Sequence, residues 1–156
     1  MKAQVSKPDS PPLLPAGKHH LSLAELEELA VVPFSSEGPR SALFNDLTSL
    51  VQRLSTFGIK CELWVDGSFL TEKPDPADID LTIVIGRVDF DLMPSAMKNQ
   101  VIMLCSKSHP LNASLDCYIV DNGDQSRLAY WDIMWGSDRD NAPKGYIVLD
   151  IPVQNV

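Results

Sequence analysis

Glu62-Leu63-Trp64-Val65-Asp66, then Gly67-Ser68, and, after nine intervening residues, Asp78-Ile79-Asp80-Leu81-Thr82-Ile83-Val84-Ile85, are the stretches whose reading decides the fold. The apolar run before Gly67 and the β-branched run after Asp80 both read as strands. Pro74, Asp75, Pro76 and Ala77 continue neither, so the two strands meet through a turn. Side chains alternate faces along a strand, which predicts Asp78 and Asp80 on one side and Ile79 and Leu81 on the other, in the core. Two carboxylates converge on one point. Held that close without a cation, one of them takes up a proton. Magnesium, or manganese in its place, removes the penalty, because such a hard ion binds a few carboxylate oxygens and completes its shell with water and phosphate.

Gly67-Ser68 supplies the other half of the site. A glycine at a strand end lets the backbone come close to a ligand, and the amides that follow, at the start of a helical turn, suit an anion. Ser68 also reads as a helix N-cap, a role compatible with phosphate binding. Lys73 in the spacer, and Arg139 and Lys144 in a late loop, are long enough to reach a β- or γ-phosphate, although most such side chains are solvated surface charges.

The hydrophobic strand, Gly-Ser, short spacer and Asp-x-Asp between apolar residues together resemble the signature of the DNA polymerase beta-like nucleotidyltransferase superfamily, in its minimal stand-alone bacterial form. The resemblance covers roughly residues 40 to 120. It implies a third carboxylate on a later strand, for which Asp116 in Ser114-Leu115-Asp116-Cys117-Tyr118-Ile119-Val120 is the candidate. It also implies a function: transfer of NMP from an NTP, ATP first among them, to a protein, small-molecule or RNA acceptor, with release of pyrophosphate. Asp78, Asp80 and Asp116 are then the catalytic and metal-binding acids, Gly67, Ser68 and Lys73 the nucleotide-binding residues, and Asp116 the proton acceptor. Stand-alone relatives are often encoded beside a toxin or helical partner, which some of them modify with AMP. This chain departs from that group, since its spacer, Phe69-Leu70-Thr71-Glu72-Lys73-Pro74-Asp75-Pro76-Ala77, lacks the arginine-rich start usual there. The alternative reading is a binding module or antitoxin of the same fold that acts by occluding a partner protein.

Composition bounds these readings. A chain of 156 residues with 44% hydrophobic content suits one domain with a real core. The formal charge of −8, from 13 basic and 21 acidic residues, disfavours long nucleic acid as a substrate unless a basic partner supplies the missing charge. Cys61, Cys105 and Cys117 read as reduced core thiols. His19, His20 and His109 have no partners at useful spacing. No stretch approaches a membrane span and the first residues lack a signal-peptide pattern, so the expected location is cytoplasmic.

Along the chain, residues 1–20 contain four prolines and read as an extended arm, suited to lying across a partner, and residues 21–156 as a single domain. Ser22-Leu23-Ala24-Glu25 is a capping box opening a short helix to Ala30. A second helix runs from about Arg40 to Thr56, with Leu43, Leu47, Leu50, Val51 and Leu54 as its stripe and Gly58 as its exit. Past Gly86, Asp89 or Asp91 is expected to cap a helix through Leu104, with Pro94 in its first turn. A strand over 114–120, a turn at 121–124, a helix over 127–135 and a closing strand over 146–151 complete the order α, α, β, β, α, β, α, β. The expected class is α/β (α+β), with a small mixed sheet of about four strands flanked by helices. Trp131 and Trp135, one turn apart, read as core, and Asp66 as a loop residue or a support for the Gly-Ser turn.

Overall fold

The computed structural model describes residues 10–34, 38–106 and 114–151. The start of the arm, Pro8 included, and His109 lie outside the described residues. The chain folds as a mixed sheet of five strands: β1 (Gly17–His20), β2 (Cys61–Asp66), β3 (Ile79–Ile85), β4 (Leu115–Asp121) and β5 (Gly145–Ile151), in the spatial order β1-β5-β2-β3-β4. The central pairings of β2 with β3 and β5 are antiparallel, and the outer pairs β1/β5 and β3/β4 are parallel.

Among the described residues there are five α-helices: α1 (Leu23–Ala30), α2 (Pro39–Thr56), α3 (Arg87–Leu92), α4 (Ser95–Leu104) and α5 (Gln125–Trp135). The capping box opens α1 as expected, with the Glu25 amide donating to Ser22 Oγ at 3.1 Å and the Ser22 amide to Glu25 Oε1 at 2.9 Å. Pro39 begins α2, where a missing N–H costs nothing, and Gly58 leaves it at φ +74.

Alternation along the strands divides the sheet into two faces. Leu63 and Val65 of β2, Ile79, Leu81 and Ile83 of β3, and Ile147 and Leu149 of β5 point to one side, where α1, α2 and α4 bury them. Each such side chain stabilises the fold by about 1.5–3 kcal/mol relative to exposure. The other side carries a smaller cluster: Trp64, Val84, Val120, Tyr146 and Val148 under Trp131 and Trp135 of α5.

Two expectations change. The single helix after Gly86 is two helices: Gly86 caps α3, Pro94 caps α4, and Met93 between them is extended at φ −66, ψ 146. Proline crowds the residue before it out of the helical region, which ends α3 there and leaves Asp89 inside it as a first-turn acid. The sheet also has a fifth strand, because the arm docks on the domain. Residues 17–20 pair with β5, the Leu13 amide donates to the Leu70 carbonyl at 2.9 Å and the Glu72 amide to the Pro11 carbonyl at 2.8 Å. Gly145 lacks a Cβ where Leu14 and Pro15 press against it.

Candidate active site

Register, more than sequence proximity, assembles the acids. Asp66 at the end of β2 faces Asp80 in β3, and Asp80 faces Asp116 in β4, so three aspartates form one row straight across three adjacent strands. They belong to the face opposite the large core. Asp78 lies one residue ahead of β3, close enough for its charge to act on Asp80. The structure therefore brings Asp78, Asp80 and Asp116 to one end of the sheet, and Asp66 with them.

Electrostatics follow from this crowding. The Asp80 carboxyl is pushed up to about 6, first by burial, then by the charges of Asp78 and Asp116, and it shares a side-chain hydrogen bond with Asp116. Asp66, 1% exposed, is pushed up to about 7 by burial, although Lys144 opposes the shift with an ion pair of 3.0 Å from Nζ to Oδ2. Its second oxygen, Oδ1, is buried without a hydrogen-bond partner. Tyr118 donates to Asp116 Oδ2 at 3.3 Å, and its hydroxyl pKa is raised by burial and by Asp116.

Gly67 sits directly beneath Asp80. A Cβ there would lie 2.8 Å from Asp80 Oδ2 and 3.2 Å from the Asp80 amide nitrogen, and φ is +92. Glycine alone fits without strain. Gly67 caps a single 3-10 turn, Ser68–Leu70, so Ser68 is its first residue and not its cap.

α5 is bolted over the far part of the row's face: Trp135 Nε1 donates to Thr82 Oγ1 at 2.8 Å, and Tyr146 donates to Asp132 Oδ1 at 2.6 Å. The Asp66 and Asp80 part of the row opens on a cavity of about 690 Å³, while Asp78 and Asp116 lie outside its lining. Asp66, Gly67, Ser68 and Asp80 form its floor, Lys73, Arg139 and Lys144 bring the cations, Ile133, Met134 and Trp135 an apolar wall, and Ser10 and Pro12 of the arm a rim. That volume suits a nucleotide-sized ligand.

Among the described residues, no three or more His, Cys, Asp or Glu side chains are gathered in an arrangement that could hold a metal ion. The donor chemistry of the row is nevertheless that of a hard divalent ion: carboxylate oxygens only, crowded until the Asp80 carboxyl is pushed up to about 6, with a buried oxygen of Asp66 left without a hydrogen-bond partner. Cys61 and Cys117 stay on the core side, with burial pushing the Cys61 thiol up to about 12, and offer no competing soft site.

Sequence reasoning underweighted Asp66 and gave Arg40 no role. The signal for Asp66 was present, because Glu62, Trp64 and Asp66 alternate with Cys61, Leu63 and Val65 and so share a face with Asp80 once the strands pair. Arg40, 1% exposed under the Gly-Ser turn, had none.

Residues 7–150 match DUF6932, a family of unknown function. The chain belongs to the DUF6932 family. No curated protein and no solved structure matches it. Within the matched DUF6932 span lie all the residues of the acid row, the Gly-Ser turn and the late cationic loop. No helix among the described residues is long and apolar enough to cross a membrane.

Proposed function

We propose that this DUF6932 chain is a metal-dependent nucleotidyltransferase that moves NMP from an NTP to a hydroxyl-bearing acceptor and releases pyrophosphate. The observation that carries the reading is the pairing of Asp80 with Asp116 across β3 and β4, beside Asp78, with Asp80 and Gly67 lining a nucleotide-sized cavity. Asp78, Asp80 and Asp116 would hold magnesium or manganese. Such ions neutralise the phosphates and lower the pKa of an attacking hydroxyl.

The chain's own residues do the rest. Gly67, lacking a side chain, lets the Asp80 carboxylate lie against the turn that lines the cavity, and Lys144, already at the cavity on Asp66, faces the phosphates with Lys73 and Arg139. Ile133 and Met134 offer the apolar surface that a base or sugar needs. Asp116 takes the proton of the acceptor hydroxyl as its oxygen bonds to the α-phosphorus. The bond from that phosphorus to the bridging oxygen breaks, and the electron pair leaves with pyrophosphate. Positioning and charge neutralisation account for most of the acceleration in such displacements.

Purified protein incubated with α-labelled NTPs and magnesium or manganese, alone and with the product of the neighbouring gene, tests this. Label should move to an acceptor and pyrophosphate should appear. No transfer under any condition, or transfer undiminished in Asp80→Ala, sinks the reading. Stable capture of a partner that survives Asp78→Ala and Asp80→Ala, without transfer, would favour the binding-module alternative.

A further inference from the structure

Arg40 is the largest fully buried side chain among the described residues, and its guanidinium is hydrogen-bonded to main-chain carbonyls. Its Nη1 donates to the carbonyls of Ala30 at 3.0 Å and Phe69 at 2.6 Å, and its Nη2 to those of Thr71 at 2.5 Å and Lys73 at 2.6 Å, with a longer contact to Ser68 at 3.5 Å. The guanidinium plane is held by the ring of Phe34, 3.8 Å from the centroid. Between the 3-10 turn and β3 the chain has no ladder of its own beyond one bridge from Pro12 to Thr71. Alternate carbonyls at 69, 71 and 73 are instead gathered onto one cation. Without it the carbonyls of Phe69 and Thr71 would be left buried without this partner.

We propose that Arg40 is a positioning residue for the nucleotide site, setting the main-chain path from Ser68 to Lys73 so that the Gly67 turn and the Lys73 side chain meet the triphosphate in the cavity. The assignment rests on the nucleotidyl-transfer reading. Three features favour positioning over stability alone. Four of the five carbonyls it binds come from one segment, residues 68–73, and Ser68, Thr71 and Lys73 of that segment line the cavity. Burying a cation costs desolvation that an apolar residue of similar volume avoids, so stability does not by itself call for an arginine. The planar fork serves several acceptors at fixed angles, which a lysine's single ammonium does not.

The test compares wild type with Arg40→Lys and Phe34→Leu. Each is titrated with fluorescent ATP, GTP, CTP and UTP analogues plus magnesium, and assayed for transfer at a temperature well below its own melting midpoint. For Arg40→Lys we expect nucleotide affinity weaker by about tenfold and kcat lower by up to about 10²-fold in the folded protein, the scale of a small misplacement of reacting groups. Phe34→Leu, which loosens the fork without removing it, should show a weaker shift in the same direction. A folded Arg40→Lys with wild-type affinity and kcat and only a lower melting midpoint overturns the proposal. Should Arg40→Lys fail to fold, a folded Phe34→Leu with unchanged affinity overturns it equally. Wild type that binds none of the four nucleotides removes the transfer reading itself, and this role with it, a result distinct from loss confined to the variants.

Discussion

The two faces of the sheet are made by the same strands and obey opposite rules. On one, β3 places Ile79, Leu81 and Ile83, each fully buried, against helices α1, α2 and α4. On the other, the residues between them are Asp80, Thr82 and Val84, which meet Asp66, Asp116, Trp135 and Trp131. One face minimises free energy by excluding water. The other holds like charges in a row, which is costly without a counter-ion. Period-two alternation produces both, so the stability of the first face rigidly fixes the spacing of acids on the second.

If that division is right, substitutions one residue apart in β3 should have unlike consequences. Asp80→Ala should reduce nucleotide transfer on the order of 10³-fold, the scale seen when a main electrostatic contributor is removed, while the melting midpoint stays level or rises. Transfer of labelled nucleotide and a thermal melt on the same sample check both halves. Leu81→Ala should do the reverse, costing about 2–5 kcal/mol in urea unfolding while the folded fraction keeps its turnover. A large loss of turnover in folded Leu81→Ala would blur the comparison. Gly67→Ala lies at the seam and should cost about 1–3 kcal/mol, from the positive φ and the approach to Asp80. It should also weaken nucleotide binding, which a titration of the folded variant reads directly.

How much of this was legible without coordinates depends on the range of the signal. The capping box of α1, the leucine stripe of α2 and the β-branched run of β3 are local patterns, and each gave its element within a residue or two. Asp116 was named beside Asp80 only because the superfamily resemblance implies a third carboxylate on a later strand; the direct pairing of β3 with β4 had no local signal. The strand β1 was hidden because Gly17-Lys18-His19-His20 carries no apolar alternation and pairs with β5, far along the chain. Arg40 was hidden for a similar reason: arginine is ordinarily exposed, and the carbonyls that bury it come from another part of the chain. Asp66 was visible in the strand pattern yet undervalued, since its meaning depends on Asp80 beside it and Lys144 from the last loop. The break at Pro94 was a misjudged local rule, in which the restriction on Met93 outweighed the tolerance of proline in a first turn.

The smallest predicted effect is a dependence on pH that separates the faces without a nucleotide. Asp66 at about 7 and Asp80 at about 6 both stand above the ordinary carboxylate value near 3.8. Between roughly pH 4 and pH 7 the folded, metal-free chain therefore binds more protons at these sites than the unfolded chain does, and stability falls as pH rises. Their contribution is fully present below the ordinary carboxylate range and is lost as pH climbs through 6 and 7. In EDTA, the melting midpoint should thus carry a downward term from pH 5 to pH 8, which Asp80→Asn flattens by removing one of the raised groups. Magnesium should offset the loss more at pH 8 than at pH 5, because it competes with protons for the same oxygens. Identical slopes for wild type and Asp80→Asn would mean that the row does not store the charge strain attributed to it. The core-face variant Leu81→Ala should keep the wild-type slope while its whole curve moves down, since no titrating group is touched.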